Sequence, residues 1–325
     1  MKLTNERRSM SFRKETFEIV FHYYKCEDSG EQFTTTDLDE LNINQLYNQY
    51  RDKFRIPFTD EIIRIREKYG LSAAKMSEIL GFGVNSYRQY EAGEIPSIAN
   101  GKLIQMADDP KNFIEMVESC SSMDDSSKAK YIGKAKLLTE ERDRNWATLN
   151  FKEYLLGKHC ADIYSGYRNP NLEKFTEMVV YFSEKIAPYK TKMNKLLFYA
   201  DFLMFKKTCF SISGLRYGAI NMGPVPNNFQ SIFEYLSNTN EVEIHITEFP
   251  QGYTGEQFKM RPDRPFNAKL FTATELAVLE NVATVFKSTS TTDIVELSHM
   301  EDAWKKNEKN KSVISYEYAF QLKQI

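Results

Sequence analysis

The 325-residue chain has no run of eighteen or more apolar residues, so no segment is built as a membrane-spanning helix. Its first residues, MKLTNERRSMSFRKETF, carry charge without the apolar stretch of a secretory signal, and a cytoplasmic protein is expected. Cysteine is scarce: Cys26, Cys120, Cys160 and Cys209 lie far apart with no CxxC pair. That pattern gives neither a disulfide framework nor paired zinc ligands, so reduced thiols, no metal and no cofactor are expected. Neither a glycine-rich phosphate loop nor a nucleophile elbow occurs. His22, His159 and His245 stand isolated, and SHMEDAW gathers His299, Glu301 and Asp302 without a second His or Cys at ligand spacing. This segment reads as a polar helix end anchored by Trp304, and no enzyme is expected. An excess of one charge is also missing. With a net charge of −2, any nucleic-acid contact must come from a local patch.

What the chain does contain is material for packed cores: 42% hydrophobic residues, with 23 Phe and 19 Tyr, in a length that predicts two domains or more. Residues 16–25, TFEIVFHYYK, are β-branched and aromatic, and GEQFTT after Gly30 is the expected return strand of a small hairpin. A connecting helix follows around 41–54, reset by Pro57. Residues 60–119 then give five short helical segments separated by Gly70 and Leu71, GFG, AGEIP and DD. Ser72 and Ser97 suit N-caps, Pro110 suits a first helical turn, and Gly81 suits a helix C-terminus. SCSSMDDSSK at 119–128 has linker composition. The charged stretch beyond it reads as a linker helix with one buried stripe or as a partner-facing helix. From YRNPNLEKF onward, amphipathic helices predominate, with one stripe of Met193, Leu196, Leu197, Ala200, Leu203 and Met204 expected as core. EVEIHI alternates as a half-buried strand that FKM at 258–260 pairs with, and Thr272 with Glu275 is a capping box. TTDIVELSHMEDAWKK reads as one further helix.

The stretch GFGVNSYRQYEAGEIPS places polar side chains on a short helix after a glycine turn. Such an order matches a helix-turn-helix, whose second helix enters the major groove, where Asn and Gln bond adenine and Arg bonds guanine or phosphate. Ser72, Lys75, Asn85, Ser86, Tyr87, Arg88 and Gln89 are the expected DNA-binding set. Ala74, Gly81 and Tyr90-Glu91-Ala92-Gly93 make the segment resemble the Xre-like (lambda-repressor-like) helix-turn-helix, and more narrowly the DNA-binding half of MqsA-type antitoxins. In that family a zinc ribbon uses paired cysteines; only Cys26 remains here, which implies a hairpin that folds without metal. The family's base-reading asparagine matches Asn85, while its arginine position is Gln89, with Arg88 displaced by one. Residues 56–118 hold seven Lys/Arg against ten Asp/Glu, so operator DNA is expected to be bound by a homodimer on two half-sites.

In the second half, the Lys-Leu-Leu-x-Tyr-Ala core from Lys195 to Ala200, the Gly-Pro-Val-Pro turn at 223–226 and His299-x-Glu301-x-x-Trp304 together resemble the Panacea (SocA-like) antitoxin domain. The resemblance implies a domain that binds and neutralises a cognate toxin protein. GPVP is read either as a rigid reversal that presents a recognition surface or as a helix-entry turn. Tyr199, Tyr217, Pro224, Asn227, Asn228, His299 and Trp304 are the expected toxin-binding residues. The fold class is then mainly α with small β elements, divided into a metal-free hairpin and connecting helix at 1–55, a five-helix helix-turn-helix domain at 56–119, a linker and connecting helix at 120–171, and a Panacea-like domain at 172–325. The function implied is an antitoxin that represses its own operon. The alternative is a transcriptional regulator whose C-terminal domain senses a small ligand or another protein.

Overall fold

The computed structural model describes every residue except Gln251 and Tyr253. The protein is mainly α with small antiparallel sheets, and none of its described helices is long and apolar enough to cross a membrane. Its contacts divide it into two compact units: Glu6–Phe21 with Gln45–Phe151, and Met1–Asn5 with His22–Asn44 and Lys152–Ile325. The segments 1–55, 56–119, 120–171 and 172–325 expected from the sequence do not coincide with these units.

Strands β1 (Lys2–Phe12) and β2 (Glu15–Lys25) are joined through Arg13 and Lys14, both at positive φ (48° and 69°). A two-residue turn of this kind matches the twist of the flanking strands. The segment after Gly30 supplies only β3 (Gln32–Phe33), paired to β2 at Tyr24↔Phe33 and Lys25↔Gln32. The main partner of β2 is therefore the charged N-terminus rather than GEQFTT. Its polar composition hid an alternation in which Met10 and Phe12 pack inward and the Arg8 guanidinium lies 4.0 Å over the Phe21 ring. Helix α1 (Thr36–Phe54) follows. Its Asn42 and Gln45 amides each exchange two hydrogen bonds with the backbone of His22 and Val20, at 2.8–2.9 Å, so side chains satisfy strand groups that a neighbouring strand would otherwise serve.

Next come α2 (Thr59–Lys68), α3 (Ala73–Ile79), α4 (Ser86–Glu91), α5 (Ile98–Met106) and α6 (Pro110–Ser119), the five short helices the separators predict. Ser72 accepts from the Lys75 N–H and Ser97 from the Asn100 N–H, as capping residues should. One core joins these helices through Ile62, Ile65, Met76, Tyr87, Ile104, Phe113 and Val117. Burying each large side chain of this kind stabilises by roughly 1.5–3 kcal/mol. Helix α7 (Asp125–Arg144) belongs to the same core: Ala135 and Met123 are buried in it, with Tyr131, Ile132 and Leu138 against them. The serine-rich segment 119–128 is thus not an open linker, since Asp124 caps α7 and turns it back onto α6. On α8 (Trp146–Leu156) only Leu155 is buried, and Trp146 is 67% exposed.

The second unit is built around α10 (Lys190–Thr208), preceded by α9 (Leu172–Lys185). Every residue of α10 from Lys192 to Phe205 is buried, so the expected single apolar stripe is instead a helix enclosed on all sides. Strands β4 (Tyr217–Ile220) and β5 (Gly223–Pro226) form a hairpin against it, followed by α11 (Phe229–Asn238), the β6 (Glu243–Glu248) and β7 (Thr254–Lys259) hairpin, and α12 (Ala273–Phe286) with its Thr272–Glu275 capping box. GPVP is neither a reversal nor a helix-entry turn; it is the strand β5. Two prolines are tolerated there because Pro224 faces Ala219 and Pro226 faces Tyr217 at positions whose N–H groups point out of the pair: the Ala219 N–H itself goes the other way, to the Ser312 carbonyl at 3.1 Å. The segment read as one last helix breaks at Glu301, whose extended backbone separates α13 (Thr291–Met300) from α14 (Asp302–Lys305).

Candidate functional sites

Two regions hold the residues singled out from the sequence. In the first, α3 ends on Gly81 (φ +70°), with the Gly81 N–H bonding the Glu78 carbonyl and the Phe82 N–H bonding the Ser77 carbonyl. A glycine in the left-handed region closes a helix with this pair of bonds. The turn leads into α4, which Ser77 Oγ meets by accepting the Tyr87 N–H at 3.1 Å. The same closure recurs at Gly93 (φ +109°), where Glu94 and Gly93 donate to Gln89 and Tyr90. Beyond it Arg51 donates to the Gly93 carbonyl at 2.8 Å, and Arg13 donates to Ile95 and Pro96 at 2.6 and 2.9 Å. Gly93 therefore stops α4, and the carbonyls of AGEIP beyond it are held by two arginines distant in sequence. Burial of Arg51 pulls its guanidinium down to about 10.

On α4 itself Asn85, Arg88 and Gln89 are exposed, and among the described residues no side-chain hydrogen bond or ion pair holds any of them. Asn85 occupies the N-cap position without using its side chain as a cap. Ser86 is half-buried behind them. Tyr87 is not on this face: it is fully buried and donates its hydroxyl to the Ile62 carbonyl at 2.8 Å, which makes it a core residue and not a DNA contact. Ser72 is spent on capping α3, and the Lys75 ammonium pairs with Glu78 at 2.7 Å, which raises the lysine and lowers the glutamate from their ordinary values. Of the seven expected positions the structure brings Asn85, Arg88 and Gln89 together on one open face.

In the second region the expected set separates. Tyr199 and Tyr217 are fully buried. The Tyr217 hydroxyl donates to Asp201 Oδ2 at 2.7 Å; Ser213 Oγ donates to the same oxygen at 2.5 Å, and the Ile212 and Ser213 N–H groups reach Asp201 Oδ1 at 2.8 Å. Tyr199 donates to Glu301 at 3.4 Å, and Glu301 accepts from the Lys323 N–H; burial raises its carboxyl. Pro224 is buried in β5. These positions build the core and are not a contact surface. His299 stacks on Trp304 at 3.8 Å, and Trp304 donates to the Ile220 carbonyl at 2.7 Å, which pins α14 to the hairpin. Burial first, then the Lys195 charge, lowers His299. Asp302 pairs with Lys306 and Lys323. Asn228, at φ +56°, is exposed, with its amide toward the Tyr154 and Leu155 carbonyls, and Asn227 stands half-buried beside it.

Residues 193–305 match the family described as Antitoxin SocA-like, Panacea domain. The matched stretch lies in the second unit and runs from within α10 to the last residue of α14. Comparison with curated proteins and with solved structures gives no match. Within the matched residues the three motifs fall on three packed pieces: Lys195 to Ala200 along α10, β5, and the α13–α14 break.

One feature of this region escaped the sequence reading. A cleft of about 600 Å³ is walled by Ile220, Met222, Val225, Phe229 and Phe249 and bordered by the Lys190–Glu256 ion pair at 2.7 Å. Asn194 and Lys195 line it. The signal was present: KMNKLLFYAD sets Asn194, Lys195 and Asp201 among apolar residues, where an amphipathic helix would carry its polar groups on one outer face. Among the described residues no group of three or more His, Cys, Asp or Glu side chains converges as a metal site.

Proposed function

We propose that the protein is an antitoxin that binds and occludes a toxin protein through its C-terminal unit and represses its own operon by reading operator DNA with the exposed face of α4. The observation that carries this reading is the Panacea match over residues 193–305. Support for the DNA half comes from Asn85, Arg88 and Gln89, whose hydrogen-bonding groups are unspent inside the protein and are of the types that read base edges. Seven Lys/Arg against ten Asp/Glu over residues 56–118 leave little phosphate neutralisation per chain, so operator binding is by a homodimer on half-sites about one helical turn apart. Neutralisation is by binding, and His299, Glu301 and Asp302 serve the packing of the α13–α14 break through ring stacking, backbone acceptance and ion pairs. On the C-terminal unit, Asn227, Asn228 and the half-buried Trp304 are the proposed toxin contacts that remain once Tyr199, Tyr217 and Pro224 are assigned to the core. A second reading, a regulator whose C-terminal unit senses a small ligand, is favoured by the cleft at Asn194 and Lys195.

The test uses the full chain, because a cut at 119–128 strips α7 from its core and residues 22–44 from the other unit. The triple variant Asn85→Ala, Arg88→Ala, Gln89→Ala is expected to lose binding of its own promoter fragment, each base contact accounting for about 1–3 kcal/mol, while still rescuing growth against the product of the adjacent gene. Full promoter binding by the triple variant would sink the DNA assignment. Failure of the wild-type chain to rescue would sink the antitoxin assignment.

A further inference from the structure

We infer that the cleft between α10, β5, α11 and the β6–β7 hairpin is a binding site for an apolar group that carries a carboxylate, with the carboxylate at Lys195 and Asn194 and the apolar body against Val225, Phe229 and Phe249. Lys195 is fully buried, yet its ammonium makes one hydrogen bond, to the Pro224 carbonyl at 3.1 Å, and no described carboxylate pairs with it. An ammonium has three donors, so two are unspent. Its neighbour Asn194 is 2% exposed and its Oδ1 has no hydrogen-bond partner. A buried polar group without a partner costs about 1–3 kcal/mol, and a buried charge without a counter-ion costs more. Lys192 on the same helix shows the ordinary solution, donating to the Lys287 and Thr289 carbonyls at 3.3 and 2.6 Å.

The fold also holds the lysine head where it is. A Cβ on Gly223 would stand 2.7 Å from Lys195 Cε and 2.5 Å from Ser298 Oγ, and Gly223 has φ +94° besides, so glycine is required there on two counts. A carboxylate entering the cleft supplies the missing counter-ion to Lys195 and accepts from the Asn194 amide, whose oxygen and nitrogen can exchange places. The walls are mainly apolar, and the volume of about 600 Å³ lies within the range of small-ligand sites. A phosphate would ask for more donors than one ammonium and one amide provide. The ligand chemistry is shared by a free carboxylic acid and by the C-terminus of a polypeptide that ends in an apolar residue.

This inference does not depend on the toxin or on DNA, and its test uses the purified full chain alone. Titration calorimetry and thermal shift with 4-phenylbutyrate are expected to show saturable binding. Acetate, which lacks the body, and 4-phenylbutan-1-ol, which lacks the charge, are expected to bind at least about tenfold more weakly. A tetrapeptide ending in Phe is compared with its C-terminal amide: tighter binding of the free-acid peptide than of 4-phenylbutyrate assigns the site to chain termini, and the reverse order assigns it to small acids. Lys195→Met is expected to abolish binding with melting temperature equal or higher. If that variant does not fold, Phe229→Asp serves instead; it places a like charge in the wall at the first position of α11, where an acidic residue suits the helix. Equal binding of the acid and the alcohol, retained binding in a folded Lys195→Met or Phe229→Asp protein, or no binding of any probe would overturn the inference.

Discussion

Helices α4 and α10 both set polar side chains among apolar ones, and they treat them in opposite ways. In α4, six residues long, Tyr87 and Tyr90 face the core while Asn85, Arg88 and Gln89 look outward with no internal partner. In α10 the polar residues Asn194, Lys195 and Asp201 are all buried. Unspent hydrogen-bonding capacity costs nothing at a surface, since water takes it up; inside, each group must be matched or its desolvation is felt in full. Asp201 is matched by four donors, Lys195 by one carbonyl, and Asn194 Oδ1 by none. The exposed groups of α4 are available at no cost to stability, whereas the interior of α10 runs from fully satisfied to unsatisfied within two turns.

The largest expected effect that sharpens this contrast is at Asp201. Asp201→Ala orphans two N–H groups and two hydroxyls at once and is expected to lower stability by about 3–5 kcal/mol in urea unfolding, where a loss below about 1 kcal/mol would show the network to be incidental. Lys195 gives a pH signature. Burial brings its amine from an ordinary 10.5 down to about 7, so between those values the folded chain binds fewer protons than the unfolded one, and stability rises with pH across that window. Lys195→Met is expected to flatten that rise, measured as melting temperature from pH 7 to 10; an unchanged slope would place its origin elsewhere. Tyr87→Phe, which removes the bond to the Ile62 carbonyl, is expected to cost about 1 kcal/mol, with promoter binding reduced only as far as folding is. The triple alanine variant of Asn85, Arg88 and Gln89 is expected to shift stability by no more than about 0.5 kcal/mol, and a larger drop would mean that this face is packed after all.

How far the sequence could be read differed between the same two regions. Around α4 the punctuation is local: Ser72, Gly81, Gly93, Ser97 and Pro110 act on their own backbone neighbours, and each capping or closing role is visible in a few residues. Tyr87 was misread because a tyrosine on a polar helix looks like a surface contact until the carbonyl it reaches, 25 positions away, is known. In α10 the decisive neighbours are distant in sequence: Glu301 for Tyr199, Tyr217 for Asp201, Pro224 for Lys195. Residue types that define a recognisable motif suggest contact residues in the sequence, while in the fold several of them hold the core together. The N-terminal strand was missed for a different reason. Its alternation is carried by Arg8, Met10 and Phe12, and an arginine lying on a ring does not register as an inward position.

The two prolines of β5 have a consequence for how this protein can be recognised. A bare strand edge is a template on which another chain can add itself, and the donors that template needs are the outward N–H groups. On β5 those positions are Pro224 and Pro226, which have none, and one of the outward carbonyls is already occupied by Lys195. β5 is besides buried along its whole length against α10, α13 and α14, so helices and not a further strand cover its outer side, and the prolines leave no strand donors there for those helices to satisfy. Pro224→Ala together with Pro226→Ala would place two N–H groups in that covered side without strand partners, and a lower melting temperature with no self-association by light scattering is the outcome to look for.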